Sequence, residues 1–217
     1  MIVRAAQCLK AGEEITVPYT PDDQPYDERS NILSRWCFTC DCRLCVADRH
    51  DDPTAREERG RLHQRIKSIA NKFLGLKLPV SIRQRNEILR QLRDVLASME
   101  KTYRDTDDRR KCPIKPDLQQ ASALLSQIYY ASHATPADDE ENMAVEMQLL
   151  ENAGIVIKDK RVRGPCMDMP LDMERTYCLS TLCRRCVMTC LRIASLAFQL
   201  RQFERAIAWV NAARKSE

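Results

Sequence analysis

The sequence predicts an α+β chain that is mostly α, with a small N-terminal portion over residues 1–50 and an irregular antiparallel helical array over residues 51–217. Two observations support this division. Cysteines cluster between residues 37 and 45, and from residue 52 onwards apolar residues recur at helical spacing. At 217 residues the chain is long enough for one large or two small hydrophobic cores.

Three cysteines of the N-terminal portion follow a C-x-C-x2-C pattern: Cys40, Cys42 and Cys45. Thiolates at this density favour Zn²⁺, which prefers sulfur and imidazole ligands and takes four protein ligands in a structural site. The alternative is a reduced, metal-free turn, although buried structural cysteines are seldom packed this densely. The source of the fourth ligand stays open between Cys37, Cys8, His50 and a residue that this chain does not contain.

Two helices are predicted directly after the cysteine segment. Asp52 as N-cap and Pro53 in the first turn start the first helix, which ends near Gly75. Ser81 and Gln84 open the second helix as a capping box. Apolar stripes at helical spacing assign these residues to the core: Leu62, Ile66, Ile69, Ala70 and Phe73 in the first helix, and Leu89, Leu92, Leu96, Met99 and Tyr103 in the second.

Further helices complete the predicted array. Pro116 starts a third helix, Pro136 precedes a fourth with an acidic first turn that runs to about Gly154, and two more helices finish the chain. The last pair, clearest over residues 191–215, resembles one tetratricopeptide unit, although no strict repeat of about 34 residues is present. Such an array either offers a concave surface to peptides or only covers the rest of the protein.

A second cysteine group also contains metal-like spacings: Cys178, Cys183, Cys186 and Cys190. At 100° per residue, the last three fall on the same helical face as Ile193 and Ala197. Free cysteine packs as a small hydrophobic residue, so burial in the core is favoured over a second metal site.

Composition and charge limit the classes of function. The 11 cysteines are an odd number and no basic segment precedes an apolar N-terminal run, which argues against a disulfide framework and secretion and favours the nucleus or the cytoplasm. No apolar run approaches the ~20 residues that cross a bilayer, so no membrane association is expected. The net charge is only +4 and the basic residues alternate with acidic ones, which argues for solvated helix faces and against direct nucleic-acid binding.

Residues 3–45 resemble the SET-domain protein lysine methyltransferases, and most closely the SET-and-MYND type and fungal SET proteins with a helical C-terminal region. The sequence Gly-Glu-Glu-Ile-Thr-Val-Pro-Tyr at residues 12–19 resembles the last catalytic motif of that family. In the family this motif is a strand, a turn at the position of Gly12 and a second strand that ends on tyrosine. Trp36, Phe38 and the C-x-C-x2-C cluster resemble the family's post-SET segment.

The resemblance implies a role for each matched residue. Tyr19 corresponds to the tyrosine that orients the substrate amine towards the methyl group of S-adenosylmethionine, with packing at a strand end as the alternative. Phe38 corresponds to the aromatic residue against the cofactor's adenine, and the three clustered cysteines correspond to zinc ligands. The implied substrate is a lysine of a histone or a non-histone protein.

Two motifs of the family are absent from this sequence. The family places a glycine-rich cofactor motif and an Asn-His-Ser-Cys motif before the turn that Gly12 occupies, and only 11 residues stand there. Those motifs supply the fourth zinc ligand and much of the cofactor contact. We therefore expect the C-terminal part of a lysine methyltransferase, with a catalytically inactive, zinc-stapled helical interaction module as the alternative and a basic nucleic-acid-binding zinc module as a third hypothesis.

Overall fold

The structure, a computed structural model, describes residues 11–12, 19–20, 24–76, 80–132, 135–158, 170–172 and 182–216. Over these residues the chain is mostly helical, which confirms the mostly α prediction. The helices are α1 (Tyr26–Ser34), α2 (Arg43–Arg49), α3 (Pro53–Leu74), α4 (Ile82–Glu100), α5 (Asp107–Lys111), α6 (Pro116–Ala131), α7 (Pro136–Asn152), α8 (Leu182–Gln199) and α9 (Phe203–Ser216).

β-structure is nearly absent from the described part of the chain. One isolated antiparallel bridge joins Ile157 to Leu171. Gly12 has a φ of 85°, as expected for a turn that glycine favours. The strands that the family resemblance implies on either side of this turn fall mostly outside the described residues. No described helix combines the length and the apolar character that a membrane span requires.

Local capping signals set the starts of the long helices as the sequence predicts. The Asp52 side chain accepts a hydrogen bond from the Thr54 backbone N–H at 2.9 Å, and α3 begins at Pro53 and ends beside Gly75. Ser81 and Gln84 form the predicted capping box of α4. At α7 a second capping box uses Thr135 and Asp138. Each of these contacts satisfies a backbone donor that the helix itself leaves unpaired.

The long helices bury two apolar clusters. The first lies between α3, α4 and α6, and the second between α7, α8 and α9 with the turn that follows α7. The predicted apolar stripes of α3 and α4 lie in the first cluster, with Ala70, Phe73, Leu96 and Tyr103 at its partly buried edge. Cys186 and Cys190 are buried in the second cluster, so their prediction as small core residues is confirmed. Cys178 lies outside the described residues.

The connection from α8 to α9 is a tight turn through a residue with left-handed backbone. Arg201 has a φ of 59°, its N–H donates to the Phe198 carbonyl at 2.9 Å, and the Gln202 N–H donates to the Ala197 carbonyl at 2.8 Å. This pair of hydrogen bonds is the Schellman motif, which normally places glycine at the left-handed position. Gly154 occupies the same position after α7, with a φ of 86°.

Replacing Arg201 with glycine is expected to stabilise the protein by about 0.5–1 kcal/mol, because the strain of a side chain at positive φ exceeds the entropy cost of glycine. Urea denaturation followed by circular dichroism measures the difference. Ser195 is the matched control, since it is exposed inside α8, and Ser195→Gly should lower stability by about 0.5 kcal/mol. A loss of stability in Arg201→Gly would contradict the strain argument.

A buried carboxylate lies between α6, α7 and α8. Glu146 is fully buried, the Ser126 hydroxyl donates to its Oε1 at 2.5 Å, and the Arg192 guanidinium is 3.5 Å from the same oxygen. Among the described residues its Oε2 has no hydrogen-bond partner. Burial raises the pKa of Glu146 above the ordinary glutamate value. The fold therefore makes the protonated form of this side chain easier to reach than in an exposed glutamate.

The Glu146→Gln variant should be more stable than the parent protein above pH 7, by about 1 kcal/mol. A raised folded-state pKa means that the parent gains stability as the pH falls through that pKa, and the glutamine variant lacks this gain. Urea midpoints between pH 5 and pH 8 measure the effect, with Glu57→Gln at an exposed glutamate as the control. Parallel pH profiles for parent and Glu146→Gln would contradict the prediction.

Candidate metal centre

The cysteine segment begins with a sharp turn at the end of α1. Cys37 has a φ of 53°, its N–H donates to the Ser34 carbonyl at 3.0 Å, and the Phe38 N–H donates to the Leu33 carbonyl at 3.4 Å. This is a Schellman motif with cysteine at the position that glycine usually takes, which costs roughly 1–2 kcal/mol. The turn reverses the chain and leads Phe38 and Cys40 towards the start of α2.

The start of α2 completes the cluster. Cys42 is the N-cap of this helix, and its sulfur accepts a hydrogen bond from the Cys45 backbone N–H at 3.5 Å. The sulfur atoms of Cys40, Cys42 and Cys45 all lie within 4.8 Å of one another. Around a tetrahedral zinc ion with Zn–S bonds of about 2.3 Å, sulfur atoms lie about 3.8 Å apart. The three thiols therefore fit one zinc ion after small side-chain rotations.

Hydrogen bonding and burial shift the pKa values of the three thiols in different directions. Bonds from the Cys45 side chain and backbone lower the pKa of Cys42 to about 5. The same contact with Cys42 raises the pKa of Cys45, and burial raises that of Cys40. A thiol must lose its proton to bind a divalent ion, so ion binding at this cluster would release protons.

The described residues supply three of the four ligands that a structural zinc site needs. The Nδ1 atom of His50 is 3.0 Å from the Asp108 carboxylate, because His50 caps the opposite end of α2 from Cys42. Cys37 lines the same cleft as Cys40 and Cys45, but its sulfur is not in the group of three. Cys8 lies outside the described residues. Of the predicted alternatives within the described part, Cys37 is the one that shares the site.

Aromatic side chains lie at the same place. The rings of Tyr19 and Phe38 are 6.0 Å apart between centroids and tilted by 52°. Phe38, Cys40 and Cys45 line one open cleft of about 230 Å³ beneath the end of α1. Pockets that enclose a small-molecule ligand or a cofactor have volumes of about 300–1,000 Å³. At about 230 Å³, the cleft formed by the described residues is therefore smaller than a pocket that encloses a whole ligand of this kind.

A buried network of charges, which the sequence analysis missed, joins the cysteine segment to the helical array. Asp48 of α2 binds the guanidinium groups of Arg29 from α1 and Arg109 from α5. Asp51 binds Arg109 at 3.0 Å and Arg59 of α3 at 2.5 Å. Every one of these side chains is at most 7% exposed. The prediction of solvated basic faces is therefore wrong for Arg59 and Arg109.

Tyr103 closes this network on the side of the array. Its ring lies between the guanidinium groups of Arg59 and Arg109, at 4.5 and 4.9 Å from the ring centroid. Its hydroxyl donates to the Asp117 carboxylate at 2.7 Å, and Asp117 lies 3.5 Å from Arg59. Cation–π contacts of desolvated arginine are worth up to about 2 kcal/mol. Through the Asp48–Arg109 pair, this network connects residues on both sides of position 50, where the domain boundary is predicted.

The site thus combines a convergent trio of thiols, an aromatic pair and a rigid link to the array. The thiols can hold a soft divalent ion, and the exposed aromatic rings can stack on a planar ligand. Within the described residues no other group of histidine, cysteine or carboxylate side chains has metal-binding geometry. The chain matches no protein-family model, no curated protein and no solved structure.

Proposed function

We propose that this chain is part of a SET-type, S-adenosylmethionine-dependent protein lysine N-methyltransferase, in which Cys40, Cys42 and Cys45 hold a structural zinc ion. One observation carries the proposal. Tyr19 and Phe38, which the family resemblance assigns to the substrate amine and to the cofactor's adenine, lie in ring contact at 6.0 Å. Phe38 also lines the same cleft as Cys40 and Cys45. The proposed substrate is a lysine of a histone or non-histone protein in the nucleus or cytoplasm.

Zinc has a structural task in this proposal. The thiols lie on the loop that follows Phe38 and on the first turn of α2, so one ion fixes the loop against the helix. A structural zinc site contributes folding free energy, and its ligands must be deprotonated when they bind. The ion would therefore hold Phe38 at the wall of the cleft and would take no part in methyl transfer.

Tyr19 and Phe38 contribute alignment of the reactants in this proposal. Well-oriented reactants gain about 7–11 kcal/mol from proximity, so a site with few chemical groups is sufficient for methyl transfer. The rest of the cofactor contacts must come from outside the described residues, since the cleft is only about 230 Å³. The glycine-rich and Asn-His-Ser-Cys motifs of the family would supply them, and neither is in this sequence.

The first experiment is to sequence the 5′ end of the native transcript and to measure the intact mass of the protein. The enzyme proposal expects a message that continues upstream in frame through a glycine-rich motif and Asn-His-Ser-Cys. A message that starts at Met1 contradicts the proposal for this polypeptide.

In the complete protein, the Tyr19→Phe variant should lower kcat for lysine methylation by about 10²-fold, because the substrate amine loses its orienting hydroxyl. Radioactive methyl transfer to a histone mixture measures the rate. Tyr130→Phe is the matched control, since Tyr130 is an exposed tyrosine of α6 that lies beside Arg192. An unchanged rate in Tyr19→Phe would remove this residue from the mechanism.

A second function is supported by the small volume of the cleft. A zinc-stapled helical module that binds a protein partner without catalysis needs the cysteine cluster and its rigid connection to the array, but no cofactor pocket. Equilibrium dialysis of the zinc-loaded chain with S-adenosylmethionine separates the two functions. Saturable binding that Phe38→Ala abolishes and Phe198→Ala preserves counts against the interaction module. A folded, zinc-loaded protein without cofactor affinity supports it.

A further inference from the structure

The helical hairpin of α8 and α9 exposes large apolar side chains to solvent. Six of them are between 40% and 63% exposed: Met188, Leu191 and Phe198 on α8, and Phe203, Ile207 and Val210 on α9. The three on α9 follow i, i+4, i+7 spacing and form one stripe, here called the α9 stripe. The rings of Phe198 and Phe203 are 5.4 Å apart and connect the α9 stripe to α8.

The α9 stripe lies opposite the face that α9 uses within the chain. Trp209 and Ala212 of α9 are fully buried in the cluster with α8, whereas Ile207 is 62% exposed. In stacked helical arrays, an outermost helix that faces only water carries a polar outer surface. The α9 stripe does not follow this pattern, because its three apolar side chains are 40–62% exposed.

Charges on α9 favour one orientation for a second helix packed on the α9 stripe. Glu204 lies in the first turn beside the stripe, and Arg214 lies in the last turn in line with it. If two α9 helices pack antiparallel, with Ile207 of each facing Val210 of the other, Arg214 of one copy lies against Phe203 and Glu204 of the second copy. Parallel packing would instead place Glu204 beside Glu204 and Arg214 beside Arg214, which is unfavourable.

The available area fits a dimer of modest affinity. The exposed parts of the α9 stripe and of its three apolar neighbours on α8 amount to roughly 600 Å² per copy. A pairing that buries both sets covers roughly 1,200 Å², which is the lower limit of specific protein interfaces. The exposed area of these six side chains also equals that of the largest apolar patches on monomeric proteins, about 300–600 Å². By contrast, the exposed Ile82 at the start of α4 is followed one turn later by the polar residues Arg85 and Asn86.

We propose that the α9 stripe pairs two copies of this chain through antiparallel α9 helices, with Arg214 of each copy bound against Phe203 and Glu204 of the other. The pairing uses residues far from the cysteine cluster in sequence and does not depend on the proposed function. It gives a homodimer with a two-fold axis through the middle of α9, the closed symmetry that a self-complementary patch produces.

Sedimentation equilibrium of the 217-residue chain from about 1 to about 200 µM tests the pairing. We expect a monomer–dimer equilibrium with a micromolar Kd, which Ile207→Glu abolishes without loss of helical circular dichroism. Ile82→Glu is the matched control, because it adds the same charge at another exposed isoleucine, and it should dimerise like the parent. A parent chain that stays monomeric at 200 µM, or an Ile207→Glu variant that still dimerises, would overturn the proposal.

Charge reversal tests the antiparallel register. Glu204→Arg and Arg214→Glu should each weaken the dimer by at least about 5-fold, and the double variant should recover most of the lost affinity. This recovery requires that the two positions meet across the interface, since they lie ten residues apart on one helix. Single variants with the affinity of the parent, or a double variant weaker than both, would overturn the antiparallel pairing.

Discussion

Replacing Asp48 with alanine should destabilise the protein by about 3–5 kcal/mol, the range found when one partner of a buried ion pair is removed. The Asp48 carboxylate binds Arg29 through one oxygen and Arg109 through the other, and its side chain is only 6% exposed. Without it, two guanidinium groups remain buried with less compensating charge. Urea denaturation followed by helical circular dichroism measures the loss.

The control for Asp48→Ala is Asp105→Ala. Asp105 binds Arg110 at 3.0 Å, but this pair is exposed, with 77% of the Asp105 side chain open to solvent. Exposed ion pairs contribute about 0–1 kcal/mol, so the control should change stability by less than about 1 kcal/mol. Equal losses in the two variants would mean that the Asp48 network is not the feature that holds α1, α2 and α5 together.

Replacing Cys45 with serine should reduce bound zinc from one ion per chain to nearly none, with a loss of affinity of at least about 10²-fold. Cys45 is the buried member of the trio, so its loss removes the ligand that is best shielded from water. Elemental analysis measures the zinc. Titration with Co²⁺ reports the number of thiolate ligands through the intensity of the sulfur-to-metal charge-transfer band.

Two further variants make the zinc measurement decisive. Cys190→Ala removes a cysteine that is buried in α8 and should leave the zinc content unchanged. Cys37→Ser removes the cysteine that shares the cleft, and a weaker cobalt band would identify it as the fourth ligand. Full zinc content in Cys45→Ser would contradict the metal centre.

Local signals allowed the long helices to be predicted. Proline, N-cap and capping-box residues act within four positions of a helix start, and the structure places the starts of α3, α4 and α6 where Pro53, Ser81 and Pro116 predict them. The convergence of Cys40, Cys42 and Cys45 is equally local, since one turn and one N-cap bring the sulfurs together.

Long-range contacts could not be predicted in the same way. Helices α1, α2 and α5 have only nine, seven and five residues, too few for a long periodic stripe. Their packing combines the charges of Asp48 and Arg109 with a small apolar cluster of Leu44, Ala47, Cys112 and Ile114. The sequence does not distinguish a buried arginine from an exposed one, so the carboxylate that pairs with a buried arginine becomes apparent only in the folded structure. His50 likewise satisfies the spacing of a zinc ligand, but the helix directs it to Asp108.

The Asp48–Arg109 pair also sets the order of events during synthesis, because its two residues are separated by 61 positions in the chain. At about 5–20 residues per second, the ribosome needs roughly 3–12 s to add that length after Asp48. During this interval the nascent chain displays its thiols before the arginine that anchors their helix exists. The docking of α2 through Arg109 is therefore expected only after α5 has left the exit tunnel, so the N-terminal end of this chain joins the array later than its position suggests.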